Sequence, residues 1–275
     1  FTERIEDLGG KILTRKKVNK IEVDSKKITK VICEDGDEFF AEKYIAGIHP
    51  KLIFSMIGHQ HLRPSFTKRL NKIKESSPFV GAYVVLDQQK YFNPRSNYYI
   101  FPEGTSEKYD AESINLKKLT IFIASPKREF QGEGKYPLSI HASCPNDFFQ
   151  KWSKTYRTEN KLEYIKAKEE IFEQIFIEIE KRYKGFTNSI VSISLSSPLT
   201  NQYYNPSPNG SAYGIYHDFS CTGARAFGPR THIENLFLTG QNTLFPGLLG
   251  ASVSGIRTAG HFIGIKRLLS ALEAS

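Results

Sequence analysis

The 275-residue sequence predicts an α/β fold. Three observations lead there. Near the C-terminus, the apolar strand Leu236-Phe237-Leu238 runs through the turn Thr239-Gly240-Gln241-Asn242 into a helix rich in Gly, Ala and Ser. At the N-terminus, short apolar segments separated by turn residues form a small β-meander. The centre holds further strand-like segments and one long amphipathic helix, which predicts a mostly antiparallel sheet.

Phe1 to Leu8 read as the end of a helix closed by Gly9-Gly10. Lys11 to Leu13 and Val18 to Val23 read as short strands. After the polar turn Asp24-Ser25-Lys26-Lys27 comes a strand from Ile28 to Glu34. Asp35-Gly36 is a strong hairpin signal, and Glu38 to Ala41 continues the strand. Tyr44 to Ile48 is another apolar strand. His49-Pro50 then starts a short helix, Lys51 to Ile57, ended by Gly58; His49 reads as a surface or capping residue rather than an acid–base group. Arg63, Lys68, Arg69, Lys72 and Lys74 surround Phe66, Leu70 and Ile73 in a basic amphipathic segment capped by Ser65. Such a segment either packs its apolar side into a core or lies on a membrane surface.

Phe79 to Leu86, Tyr98 to Phe101, Leu119 to Ala124 and Leu138 to Ser143 read as strands. Their aromatics Tyr83, Tyr98, Tyr99, Phe101 and Phe122 either pack ordinarily or line an apolar tunnel. Leu162, Ile165, Phe172, Ile175, Ile179 and Tyr183 mark one face of the long helix, with Glu178–Arg182 and Glu180–Lys184 pairs outside and Gly185 at its end. A strand from Ile190 to Leu195 precedes a Pro/Asn/Gly-rich loop, Ser197 to Gly210.

In the C-terminal helix, Pro246 suits the first helical position. Gly247, Gly250, Gly255, Gly260 and Gly264 would each cost roughly 1 kcal/mol relative to Ala in a helix interior. Close approach to a ligand or a neighbouring backbone would offset that. The free N–H groups at the helix start favour partial negative charge in front of them. A transmembrane span is disfavoured, because Pro246, Arg257, Thr258 and His261 interrupt the stretch.

The net charge of +9 and mean hydropathy of −0.40 describe a moderately basic chain that is not strongly hydrophobic. The charge suits an anionic membrane surface or partner; no recognised motif accompanies it that would favour nucleic acid. Cys33, Cys144 and Cys221 are far apart without a CxxC, which predicts reduced thiols in a cytoplasmic setting. No metal-ligand cluster, nucleophile elbow or P-loop is evident. His59 and His61 lack a third ligand. Tyr213, His217 and Asp218 are the densest polar group near the C-terminal motif, but no residue is assigned a catalytic role.

The run NLFLTGQNTLFPGLLGA is similar to the C-terminal flavin-binding signature of the phytoene desaturase, carotenoid isomerase and retinol saturase superfamily of FAD-dependent oxidoreductases. Three further segments agree in order. GGKILTRKKVNKI resembles a middle segment of the FAD domain, SSPLTNQYYNPSPNGSAYGI the stretch before the flavin helix, and KWSKTYRTENKLEYIKAKEEIFEQI a long substrate-domain helix. The resemblance implies an incomplete FAD/NAD(P)-binding Rossmann-like domain with an inserted α+β substrate domain. Residues 1–50 and 228–275 would form the discontinuous FAD-binding part, and 51–227 the substrate domain. No GxGxxG turn occurs, so the expectation is the C-terminal portion of a longer or split enzyme whose N-terminal half supplies it.

By the same resemblance, Gly240, Gln241, Asn242, Gly247, Leu248 and Leu249 would contact the flavin or its ribityl chain, and the backbone of Val18 would lie near the adenine. The family often has Asp where this chain has Asn242. The implied reaction is desaturation, saturation or isomerisation at carbon–carbon double bonds of a lipophilic polyene or isoprenoid. FAD is the implied cofactor, with NAD(P) as an electron donor or acceptor and peripheral membrane contact as a further expectation. An amine-oxidase-like flavoenzyme and a non-catalytic membrane- or partner-binding remnant are the competing readings.

Overall fold

The computed structural model describes residues 1–87, 96–101, 119–125, 134–145, 148–219, 221 and 226–273. The fold is mixed α/β, with mostly antiparallel sheets. The chain divides into two compact units. Phe1–Ile73 and His217–Ser275 form one, and Lys74–Tyr216 the other. These two units meet in the sequence at 73/74 and 216/217.

The first unit opens with helix α1 (Thr2–Asp7), after which Gly9 takes a φ of 81°. Lys11 to Leu13 form no strand; Ile12 and Leu13 are exposed and have no apolar neighbour to alternate against. Strands β1 (Val18–Asp24), β2 (Lys27–Cys33) and β3 (Glu38–Phe39) make an antiparallel sheet in the order β1-β2-β3. The β1–β2 turn puts Ser25 and Lys26 at φ 46° and 65°. Positive φ at both central residues is the mirror-image turn that matches strand twist. Strand β3 is shorter than the expected Glu38 to Ala41, and β4 (Tyr44–Ala46) is shorter than Tyr44 to Ile48.

Helix α2 (Pro50–Ile57) is capped by His49, whose Nδ1 accepts the Lys51 N–H at 3.2 Å, and it ends at Gly58 with φ 92°. Helix α3 (Pro64–Asn71) starts from Arg63, so Ser65 lies inside the first turn and does not cap it. Phe66 packs edge-on against Phe54 at 4.7 Å, and Leu70 and Ile73 are buried. The apolar side of this basic segment is therefore used in the unit's own core.

The second unit contains β5 (Phe79–Asp87), β6 (Tyr98–Ile100), β7 (Ile121–Ala124), β8 (Lys135–Ser143), α4 (Leu162–Arg182), β9 (Ile190–Ser196) and α5 (Pro198–Tyr204). Its five strands are antiparallel in the order β6-β7-β8-β5-β9. Alternation puts Val80, Ala82, Val84 and Leu86 of β5, with Leu138, Ile140 and Ala142 of β8, on one buried face. They share a core with Ile171, Phe172, Ile175 and Ile179 of α4.

Two expectations about α4 change. Residues 151–161 precede it and are not part of it, and Leu162 is exposed. Glu180 does not serve a surface pair with Lys184. Its carboxylate accepts the N–H groups of Gly185 and Thr187 at 2.6 and 2.8 Å, closing the helix end. These hydrogen bonds hold its carboxyl below the ordinary glutamate range. The expected loop after β9 begins with α5, where Ser197 and Thr200 form a capping box.

The chain then returns to the first unit through β10 (Leu236–Leu238), α6 (Gly247–Ile263) and α7 (Ile265–Glu273). Strand β10 pairs in parallel with β4, placing Phe237 opposite Ile45. The Asn235 side chain bonds both backbone groups of Ile28, at 2.7 and 3.0 Å, tying the start of β10 to β2. Pro246 is the N-cap of α6 rather than its first residue, and Gly264, at φ 84°, ends it. Among the described residues, no helix is long and apolar enough to cross a membrane. No disulfide joins Cys33, Cys144 or Cys221 among the described residues.

Candidate functional site

Strands β4 and β10 are the parallel pair, and each is followed by a helix, α2 and α6. In α/β sheets, ligands bind beyond the carboxyl ends of such strands. At that end the two chains come close. A side chain on Gly240, which has φ 87°, would place its Cβ 3.2 Å from the Gly47 carbonyl oxygen. Glycine is favoured there by conformation, and a larger residue would also press on that carbonyl.

The turn from β10 into α6 is fixed by hydroxyl groups. Thr243 Oγ1 donates to the Gly240 carbonyl at 2.7 Å, so the Ser254 hydroxyl, 2.5 Å away, must donate to Thr243. Thr239 Oγ1 lies 3.5 Å from Ser254 Oγ and extends the chain. One turn further along, Thr258 Oγ1 is 3.0 Å from the Leu238 carbonyl and 2.9 Å from that of Ser254. Gly250, Ser254 and Thr258 are the buried residues of α6, a four-residue repeat of small side chains. At Gly250, an added Cβ would lie 2.1 Å from the Phe245 carbonyl oxygen. In the sequence Thr239 is visible only as a turn residue and Thr258 only as a break in the apolar stretch, and nothing marks Thr243 or Ser254. The fourfold spacing of 250, 254 and 258 was the available signal.

Among the residues expected to contact a cofactor, Gly247 has φ 79° and nothing within 4 Å of an added Cβ. Leu248 and Leu249 are 86% and 78% exposed. The start of α6 is therefore open, with two leucines displayed to the outside. Gln241 is half-buried, and Asn242 is buried inside the turn. Val18 begins β1, half-buried and paired with Cys33, on a different sheet from β10. Of the glycines expected to mark close approaches, Gly250 and Gly260 do so, whereas Gly255 faces open space.

Tyr213 belongs to the second unit and His217 and Asp218 to the first, so they do not form one cluster within a unit. Among the described residues, no group of three or more His, Cys, Asp or Glu is placed to hold a metal ion.

The second unit presents a different surface. On the sheet face away from α4, the cross-strand row reads Tyr99, Phe122, His141, Gly81, Ser196. Tyr99 stacks on Phe122 at 4.7 Å, and Phe122 on His141 at 6.3 Å. Phe79 and Tyr83 meet the His141 ring edge-on at 4.7 and 5.9 Å. Burial holds the His141 imidazole below its ordinary pKa, hence neutral at pH 7. Tyr83, Tyr99, Phe101 and Phe122 thus share this face. Tyr98 does not: strand alternation sends it to the other side, against Tyr183 at 5.4 Å.

No protein-family model matches the sequence. Among curated proteins, the chain is similar to the all-trans-retinol 13,14-reductases. It is 25% identical to that of Danio rerio, over 94% of this chain and 46% of the relative. It is 24% identical to that of Homo sapiens, over 90% of this chain and 44% of the relative. The chain spans about half the length of the curated relatives it matches. Among solved structures, an oxidoreductase from Methanosarcina mazei has the same fold over 98% of this chain and 51% of that one, with a TM-score of 0.52 and 13% identity. A putrescine oxidase variant redesigned in its cofactor binding matches 94% of this chain and 50% of that one, with a TM-score of 0.57 and 13% identity. This similarity to the retinol 13,14-reductases agrees with the resemblance of the C-terminal motif to the phytoene desaturase-like oxidoreductases.

Proposed function

We propose that this chain supplies the flavin-facing helix and the substrate sheet of a FAD-dependent oxidoreductase acting on carbon–carbon double bonds of a lipophilic polyene or isoprenoid. The observation that carries this reading is the open start of α6 in a chain related to retinol 13,14-reductases over nearly its whole length. A bare Gly247 followed by two exposed leucines leaves room for a ring system against backbone N–H groups. The dipole of this 17-residue helix favours the electron-rich edge of a flavin there. The backbone of Gly240, Gln241, Gly247, Leu248 and Leu249 would hold that edge. Asn242, being buried, would shape the turn instead. Val18 remains the proposed adenine-side contact.

FAD, when bound, supplies the hydride chemistry, and the protein supplies binding, orientation and exclusion of water. The pyrophosphate-binding turn would come from a polypeptide corresponding to the half of the relatives that this chain does not span. Exposed Ile45, Ile48, Leu248 and Leu249 suit contact with such a partner.

The test is FAD titration, followed by flavin fluorescence, of the chain alone and joined to that complementary half. Weak or no binding alone and stoichiometric binding when joined is the expected result. In the joined protein, Gly247→Val should weaken FAD at least about tenfold, since it adds a branched side chain at positive φ. Leu248→Ala keeps the same N–H and should leave affinity unchanged. Equal FAD affinity for the parent and Gly247→Val would remove α6 from the site.

A further inference from the structure

Strand β9 is an edge of the five-stranded sheet. It pairs with β5 and, among the described residues, with no strand on its other side. Exposed strand edges are commonly blunted by charged side chains or proline. The β9 sequence, IVSISLS, contains neither. Its register against β5 slips once, so Val191 stands outside the ladder and Ser192 to Ser196 form the regular part. Lys168 guards one point, with its Nζ 3.4 Å from the Leu195 carbonyl. Ile193 lies opposite the buried Val84, and Leu195 opposite the buried Ala82. Directly opposed side chains share a face, so both point to the side of the sheet that α4 covers. Ile193 is nevertheless 45% exposed.

Beside this edge, α4 carries a second stripe. Residues 169, 172, 173, 176, 177, 180 and 181 recur at helical spacing, and Lys184 follows just past the helix end. With Leu195 they line a groove of about 800 Å³. The middle of the stripe is apolar: Phe176 is half-buried and Ile177 is 41% exposed. The charges are sorted by position. Glu169 and Glu173 lie toward the N-terminal end, and Lys181 and Lys184 toward the C-terminal end. Glu180 breaks the order, but its carboxylate is held by the N–H groups of Gly185 and Thr187. Lys181 pairs with Glu178 at 2.6 Å, an exposed contact of little worth. Glu169, Glu173 and Lys184 make no ion pair among the described residues.

We infer that this edge joins two copies of the chain about a two-fold axis perpendicular to the sheet. Such an axis reverses both β9 and α4, so each meets its own copy antiparallel. A two-fold contact must be self-complementary. The order acid, apolar, base along α4 meets that condition in the antiparallel direction alone. Glu169 and Glu173 of each copy then face Lys184 and Lys181 of the other, while Phe176 and Ile177 meet their own copies in the centre. A parallel alignment would set acid against acid. At the edge, Ile193 is covered by its own copy, and the outward N–H and C=O groups of β9 gain partners. The charge order selects a second copy over an unrelated apolar strand. The inference goes beyond the flavin reading and does not rest on it, since every residue named belongs to the second unit.

Sedimentation equilibrium of the 275-residue chain at about 0.15 M salt tests it. The parent should be a dimer that weakens as salt is raised. Glu169→Lys with Glu173→Lys should raise the dimer dissociation constant at least about tenfold, because like charges then face each other. Lys181→Glu with Lys184→Glu should do the same. Mixed together, the two double variants should form a heterodimer about as tight as the parent dimer, because every cross pair is restored with its signs exchanged. All four positions are exposed, and circular dichroism establishes that each variant is folded. Ile193→Lys, which puts a charge on the edge, should dissociate the dimer without changing the fold.

A monomeric parent would overturn the inference. So would a dimer that both double variants leave intact, or double variants that dissociate and form no heterodimer on mixing. A dimer that the complementary half converts into a one-to-one complex sensitive to Ile193→Lys would assign the edge to that half, and would also overturn it. FAD uptake by the joined protein is a separate readout. Uptake by a monomer leaves the proposed function standing without this inference, and a charge-dependent dimer that takes up no FAD does the reverse.

Discussion

Helices α4 and α6 are seated in opposite ways. The 21-residue α4 buries Ile171, Phe172, Ile175 and Ile179 against a sheet of branched and aromatic side chains. The 17-residue α6 buries Gly250, Ser254 and Thr258, and turns Leu248 and Leu249 outward. Each large apolar side chain buried under α4 contributes about 1.5–3 kcal/mol. The seat of α6 buries little apolar surface and relies on hydrogen bonds worth about 1 kcal/mol each. The difference teaches what each helix is for. An apolar ridge maximises stability. A small-residue seat brings a helix close to its strand and fixes where its N-terminus points.

The comparison breaks first at α4 if it is wrong. Phe172 is 1% exposed. Phe172→Ala should destabilise the second unit by about 3–5 kcal/mol, the usual range for a deleted buried ring. Trp152, the sole tryptophan, is buried in the same cluster and reports the transition in denaturant. A loss below about 1 kcal/mol would mean that α4 is not held by this ridge.

At α6 the prediction is a pair of opposite signs. Gly250→Ala pushes a methyl against the Phe245 carbonyl and should cost about 1–3 kcal/mol. Gly255→Ala meets nothing within 4 Å and should gain up to about 1 kcal/mol from helix propensity alone. Hydrogen exchange of α6 peptides, read by mass spectrometry, measures both. Two losses, or two gains, would show that the Gly250 contact does not set the position of the helix.

A smaller effect tests the hydroxyl chain. Thr243→Val conserves shape but removes the acceptor for Ser254 and the donor to Gly240. The expected loss is about 1–2 kcal/mol, because the buried Ser254 hydroxyl and the part-buried Gly240 carbonyl each lose a partner. The same exchange measurement would localise it to the turn and the first half of α6. A loss spread evenly over the first unit would point to a general packing defect.

This contrast also explains what the sequence disclosed. Strands β8 and β9 were legible because their apolar residues alternate, and β1, β2 and β5 because apolar, β-branched-rich segments are bounded by turn residues. Lys11 to Leu13 misled because three residues carry no period. Helix α5 was hidden by its Pro and Asn content, although Ser197 and Thr200 hold a capping box. At the candidate site, the turn after β10 and the glycine at its end were readable from residue type. The hydroxyl chain was not, because Thr and Ser become partners only once β10 and α6 are packed. His141 was missed for a similar reason. Nothing near it in sequence distinguishes it, and its aromatic neighbours arrive from β5 and β7.

The smallest expected effect sets the floor for the comparison. Lys16 bridges Asp35 at 2.6 Å and also reaches Asp37, on the hairpin beside β3. Hydrogen bonds to Asp35 and Asp37 raise the Lys16 pKa, and the bond from Lys16 lowers that of Asp35. A raised lysine contributes stability below its ordinary pKa, and that contribution is lost as pH rises through the folded value. A depressed aspartate contributes above its ordinary pKa and loses that contribution on acidification. The pair is thus fully formed at neutral pH, where its effect should be greatest. Even there, Lys16→Gln should leave the thermal midpoint unchanged within error at about 0.15 M salt, because exposed ion pairs are screened and entropically costly. A shift that appears only at low salt and disappears below the carboxylate range agrees with the assignment. If Lys16→Gln at neutral pH and physiological salt costs as much as Gly250→Ala, surface charge governs the first unit no less than the seat of α6 does, and the contrast drawn between the two helices fails.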